Sequence, residues 1–263
     1  MPRLPALAAA AVRIACLGLG CMAMTSPAPA VAAAPLRTAA QDNNTIKFNL
    51  KGEPKGVCVE VFQAIERIEP GLRFTGWNQP MSLPRVESAL VENQIDVFCG
   101  LIRTPAREAK FSFIDVPVYT VRHRIAVRAD DDVQVRSLDD IRKLGPANVV
   151  IVLKGTAHEE LLRRFGGLSL DASAQNLDVN LRKLLHGRGR FLYHTENALL
   201  RYIEMEKLGG QIKLLPAVLK EDQILFAVSR SLPAATVDRL RNALQHMADR
   251  GELKKIYAAY KEE

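Results

Sequence analysis

The stretch Ile95-Asp96-Val97-Phe98-Cys99-Gly100-Leu101-Ile102-Arg103-Thr104-Pro105-Ala106-Arg107 decides how the rest of the chain is read. Its first half is a short apolar run closed by glycine, the pattern of a buried strand. Its second half reads as a helix start. Thr104 is placed to cap orphan backbone N–H groups, Pro105 suits the first helical position, and Arg107 projects from the first turn. A strand that ends at a glycine and turns into a helix sets N–H donors and a guanidinium at the carboxyl edge of a sheet. That edge suits a carboxylate, which arginine grips through paired hydrogen bonds. A surface turn with a solvated arginine has the same spacing, so the reading needs support from elsewhere.

Outward from this stretch, Ile46–Leu50 and Leu72–Thr75 read as strands. Helices are expected from Gly56, with Val61, Phe62, Ile65 and Ile68 inward, and from Ser82, with Val86, Ala89 and Leu90 inward. Strands alternating with helices predict a largely parallel α/β sheet. Beyond it, Val118–Arg128 reads as extended and Asn148–Leu153 as a buried strand. Gly155-Thr156-Ala157 opens a helix, as does Asn176, and Arg190–His194 is a strand before a helix starting at Thr195. Strands at Gln211–Leu215 and Gln223–Ser229 and two helices from Pro233 and Glu252 complete the order.

The N-terminus follows export grammar: Arg3 and Arg13, an apolar run from Ile14 to Met24, and an Ala-x-Ala end at Ala30-Val31-Ala32. Residues 1–32 read as a signal peptide and 33–44 as a flexible lead-in. A lipid anchor at Cys21 is the weaker alternative, because Gly18 stands where leucine is wanted. Loss of Arg3 and Arg13 lowers the formal net charge from +7 to +5. No basic run interleaved with aromatics points to nucleic acid, so the charge reads as a solvated surface with a bias toward anions. Cys58 and Cys99 remain in the mature chain, and an oxidising compartment favours a bond between them over two buried thiols. They and the scattered histidines form no metal-ligand set, and no cofactor is expected.

The quoted residues resemble the bacterial extracellular solute-binding proteins of family three, periplasmic receptors for polar amino acids. The likeness rests on Ile95-Asp96-Val97, Gly100, Thr104-Pro105-Ala106-Arg107, Phe111-Ser112 and Pro117-Val118-Tyr119, and it runs from about Ile46 to the C-terminus. It implies an α/β, two-lobed periplasmic-binding-protein (Venus flytrap) fold, each lobe a mostly parallel sheet flanked by helices. The expected lobes are residues 45–120 and 121–222, with 223–263 returning to the first and crossings near Tyr119–His123 and Glu221–Leu225. It also implies a monomer in the periplasm that binds a solute between its lobes and delivers it to an ABC transporter. Through it, Arg107 and Gly100 become a carboxylate clamp.

The candidate ligand set is Arg107, Gly100, Arg103, Thr104, Thr156, Ala157, His194, Thr195, Glu196 and Trp77. Arg103 reads as a solvated charge ahead of a second anion contact, and Trp77 as an aromatic platform or plain packing. Thr195 stands where amino-acid receptors place an aspartate for the ligand's ammonium, Ile102 replaces a hydroxyl, and the aromatic pair before Gly56 is missing. Those departures shift the expected ligand to an organic acid or atypical amino acid, since an unpaired buried ammonium is costly. An accessory or sensory role, and a dehydratase-like enzyme using Glu196 and His194, are the alternatives. His123, His158, His186 and His246 read as bystanders on surfaces and loops.

Overall fold

The computed structural model describes residues 34–42 and 44–260. The signal-peptide reading and the Cys21 alternative lie outside these residues.

The chain enters through two short strands, β1 (Leu36–Arg37) and β2 (Ala40–Gln41). This corrects two expectations. The described part of the lead-in is structured, with Ala39 and Ala40 fully buried, and Ile46–Leu50 is largely a turn whose Asn49 bridges to Lys55. The small side chains at 39 and 40 carry almost no apolar periodicity. This segment is fixed instead by backbone bonds to neighbouring chain, as in Ala40 N–H to Gln79 O at 2.9 Å.

Helix α1 (Val57–Ile68) buries Val57, Val61, Phe62 and Ile65 on one face, each side chain contributing roughly 1.5–3 kcal/mol. Next come β3 (Phe74–Thr75), β4 (Pro80–Met81) and α2 (Leu83–Val91), which buries Val86, Ala89 and Leu90. The quoted stretch follows as β5 (Val97–Ile102), buried throughout, and α3 (Pro105–Glu108), a single turn. A disulfide joins Cys58 of α1 to Cys99 of β5, as expected, with Cα atoms 5.7 Å apart. Closing that 41-residue separation removes chain entropy from the unfolded state, a stabilisation of about 4 kcal/mol.

The next strand is longer than its sequence signal: β6 (Ser112–Arg128) runs unbroken through 17 residues. Beyond it lie α4 (Leu138–Lys143), β7 (Val150–Ile151), α5 (Ala157–Phe165), β8 (Leu170–Asp171), α6 (Leu177–Leu185), β9 (Phe191–Thr195), α7 (Glu196–Met205) and β10 (Ile212–Leu214). The chain returns along β11 (Lys220–Val228) and closes with α8 (Ala234–Asp249) and α9 (Glu252–Ala259).

The fold is the two-lobed periplasmic-binding-protein fold. Parallel pairing joins β1 with β3, β2 with β4, and β7 with both β8 and β9. The long strands β6 and β11 pair antiparallel, His123 opposite Lys220 and Tyr119 opposite Ile224, and each also borders an antiparallel neighbour. One core gathers residues from 36–121 and 224–260, and two smaller cores, on the two faces of the second sheet half, gather residues from 125–215. Among the described residues of the second half, Ala157 alone joins the first core. Chain and core therefore change hands where β6 and β11 run side by side.

Candidate functional site

A cavity of about 260 Å³ opens at the strand ends between the two sets of cores. The first half lines it with Lys47, Gly100, Arg107, Tyr119 and Tyr257, and the second half with Thr156, Ala157, His158, His194, Thr195 and Asn197. The halves touch around it. Asn197 Nδ2 donates to Tyr257 OH at 2.7 Å, Arg201 Nε to Thr45 Oγ1 at 2.9 Å, and Tyr119 stacks on Tyr257 with ring centres 4.3 Å apart.

Arg107 is set by the features its sequence advertised. Thr104 Oγ1 accepts from Arg107 N–H at 3.3 Å, and Pro105 starts the turn. The guanidinium, however, is engaged. Its Nε and Nη2 donate to Glu87 Oε1 at 3.0 and 2.8 Å, and Nη1 donates to Ile102 O at 2.7 Å. Arginine has five N–H groups, so two remain for a ligand, and Glu87 of α2 offsets the charge. Nothing in the sequence pointed to Glu87, which meets Arg107 only once α2 packs on β5.

Lys47 is the residue sequence reasoning missed most clearly. Its Nζ donates to Gly100 O at 2.5 Å and to Gln41 Oε1 at 2.8 Å. Gly100 has φ +110°, and a Cβ there would sit 2.8 Å from Lys47 Cδ, so glycine is required for the lysine to lie across the strand. Burial, then the Arg107 charge, push the Lys47 amine down to about 7. Among the described lining residues, Lys47, Arg107 and Lys154 are cationic and exposed Asp42 is the one carboxylate.

The second half adds an unexpected histidine group. His123 and His158 are buried, not surface bystanders, whereas His186 and His246 are exposed as read. The His158 ring lies 4.7 Å from both the His123 and the His194 rings, and 5.6 Å from Tyr193. His123 Nδ1 meets Tyr193 OH at 2.9 Å, and its Nε2 lies 3.3 Å from Asp222. Desolvation, helped by Lys220, lowers His123 to about 4, and desolvation, helped by His123, lowers His194 to about 3. His158 falls well below its ordinary value through desolvation and then its cationic neighbours. All three imidazoles are thus neutral near pH 7. They lie on β6, α5 and β9, and only the tertiary fold brings them together.

Of the expected ligand set, the cavity gathers Arg107, Gly100, Thr156, Ala157, His194 and Thr195. Four residues fall outside its lining. Arg103 turns away to pair with Asp115 and Glu108 and covers the Phe113 ring at 5.3 Å. Thr104 is spent on its cap. Trp77 packs against the core of the first half. Glu196 is buried at the start of α7, held by Arg122 and Arg124 at 2.5 Å each, so it supplies no acid–base partner to His194.

Comparison with known proteins agrees with this fold. No match is found among curated protein sequences. Among solved structures, an ancestral arginine-binding protein bound to glutamine superposes with a TM-score of 0.71 at 21% identity, covering 86% of this chain and 97% of that one. A histidine kinase sensor domain with similarity to periplasmic binding proteins gives 0.73 at 21% identity, covering 86% and 95%. An ancestral amino acid-binding protein, a precursor of cyclohexadienyl dehydratase, gives 0.70 at 20% identity, covering 86% and 95%. The family described as bacterial extracellular solute-binding proteins, family 3, matches residues 38–263. With that span matched and the two-lobed fold in place, this chain belongs to the bacterial extracellular solute-binding proteins of family 3.

Proposed function

We propose that the protein is a non-enzymatic, monomeric periplasmic receptor. It closes residues 45–120 and 121–222 on a small carboxylate-bearing solute and hands it to an ABC transporter. The pair of crossing strands, β6 and β11, is the hinge. The observation that carries the ligand class is Lys47. A ligand's ammonium would need an acceptor such as Gly100 O, and Lys47 already donates there at 2.5 Å. The cavity's remaining charges would repel a second cation and attract an anion. An organic acid without an ammonium group therefore fits better than a standard amino acid. Its carboxylate has the two spare N–H groups of Arg107, the Lys47 amine and the α5 start at Thr156–Ala157.

One observation favours an accessory or sensory role instead: Arg107 already has its own carboxylate in Glu87. Thermal denaturation against a panel of organic acids and amino acids separates the two. A receptor gains melting temperature with selected acids by mass action, and Arg107→Ala and Lys47→Met remove the gain. A flat panel transfers the assignment to the docking role.

A further inference from the structure

We propose that His158 and His194 form a second anion subsite in the cavity, so that the solute carries two acidic groups and is a small dicarboxylate. This rests on the receptor reading above and names the ligand class within it. Both ring nitrogens of His158 lack any hydrogen-bond partner, although the residue is only 5% exposed and lines the cavity. A neutral imidazole has one N–H to give and one lone pair to receive, and folding has removed water from both. His194, 4.7 Å away ring to ring, uses Nδ1 on Thr195 Oγ1 at 3.1 Å and has Nε2 left over. The ring of His158 is wedged edge-on between His123, His194 and Tyr193, so its unpaired atoms are held in place.

The groups facing His158 select an anion. From the 44–48 turn comes Lys47, from α3 Arg107, from β6 His123, and from β9 His194. Tyr193 OH is already engaged by His123, and Asp222 of β11 sits behind His123, with Lys220 beside it. No carboxylate among the described residues pairs with His158 or His194. One acidic group of the solute sits at Arg107 and Lys47, and the other meets the two imidazoles.

A carboxylate beside His158 raises its pKa, so binding takes up a proton, and affinity falls as pH rises through the pKa of the complex. Lys47 acts in the same direction near pH 7 and would do so for a monocarboxylate too.

The test is calorimetric titration of the full mature chain with malonate, succinate, glutarate and adipate, each beside the monocarboxylate of equal length. Titrations run at pH 6 and 8 in two buffers of different ionisation heat. The expected result is that the best diacid binds roughly tenfold or more tighter than its mono-acid. It also takes up an additional fraction of a proton. His158→Phe keeps the ring volume and should bring the two within about twofold while leaving mono-acid binding in place. If it does not fold, His158→Asn serves. Equal affinities for mono- and diacids, or a diacid preference that survives His158→Phe, overturn the subsite and leave the receptor reading standing. Binding of no acid at all overturns the receptor reading, and the subsite with it.

Discussion

Arg107 and Lys47 are neighbouring cations in one cavity, and the protein treats them in opposite ways. Arg107 is 4% exposed and has a carboxylate of its own, Glu87, together with the Ile102 carbonyl. Lys47 has two neutral carbonyl oxygens and no carboxylate, and its amine is pushed down to about 7. The first arrangement balances a buried charge inside the protein, whereas the second leaves the balance to something that enters. Both cations face the proposed carboxylate, and what sets how far each depends on a bound anion is its protein partner, not its depth of burial.

The sharpest way to break this contrast is to remove Arg107. Arg107→Ala leaves Glu87, whose side chain is 15% exposed, with only Lys110 at 3.9 Å, and should cost about 2–4 kcal/mol of stability in urea unfolding. Arg107→Met with Glu87→Leu should recover most of that loss. Additive losses in the double variant would mean that the pair is not a unit.

Lys47→Met should do the reverse and raise the stability of the unliganded protein by roughly 1–2 kcal/mol at pH 7, because it deletes an uncompensated amine at the cost of two hydrogen bonds. Lys47 is held below its ordinary 10.5, so the unfolded chain binds the extra proton between about 7 and 10.5. The penalty is full below pH 7 and fades toward pH 10.5, and the advantage of Lys47→Met should fade with it. A lysine that stabilised the empty protein would invert that difference curve.

A smaller effect sharpens the boundary of the site. Arg103 was an expected ligand residue, yet it pairs with Asp115 and Glu108 away from the cavity. Arg103→Ala should change stability by no more than about 0.5 kcal/mol and leave acid binding untouched. A loss of binding would return Arg103 to the site.

How much of this was legible in the chain depended on sequence distance. The strand, turn and cap of Ile95–Arg107 are local signals, and both Gly100 and Arg107 line the cavity. The disulfide followed from two cysteines and a compartment. Strands β1 and β2 were hidden because Ala39 and Ala40 are small, and a two-residue strand has no period to detect. The decisive contacts of the site are long-range: Lys47 meets Gly100 across 53 positions, and His123 meets Tyr193 across 70. Glu196 shows the converse error, for it stands next to Thr195 in sequence, but two arginines of β6 claim it.

On the proposed reading, Lys47 supplies the ammonium this cavity needs and the solute carries none. The most direct measurement is calorimetric titration with matched acids that differ only by an α-ammonium: succinate against aspartate, and butyrate against 2-aminobutyrate. The ammonium-free member of at least one pair should bind roughly tenfold or more tighter, and Lys47→Met should erase the difference. Tighter binding of the amino acid in each pair would contradict it.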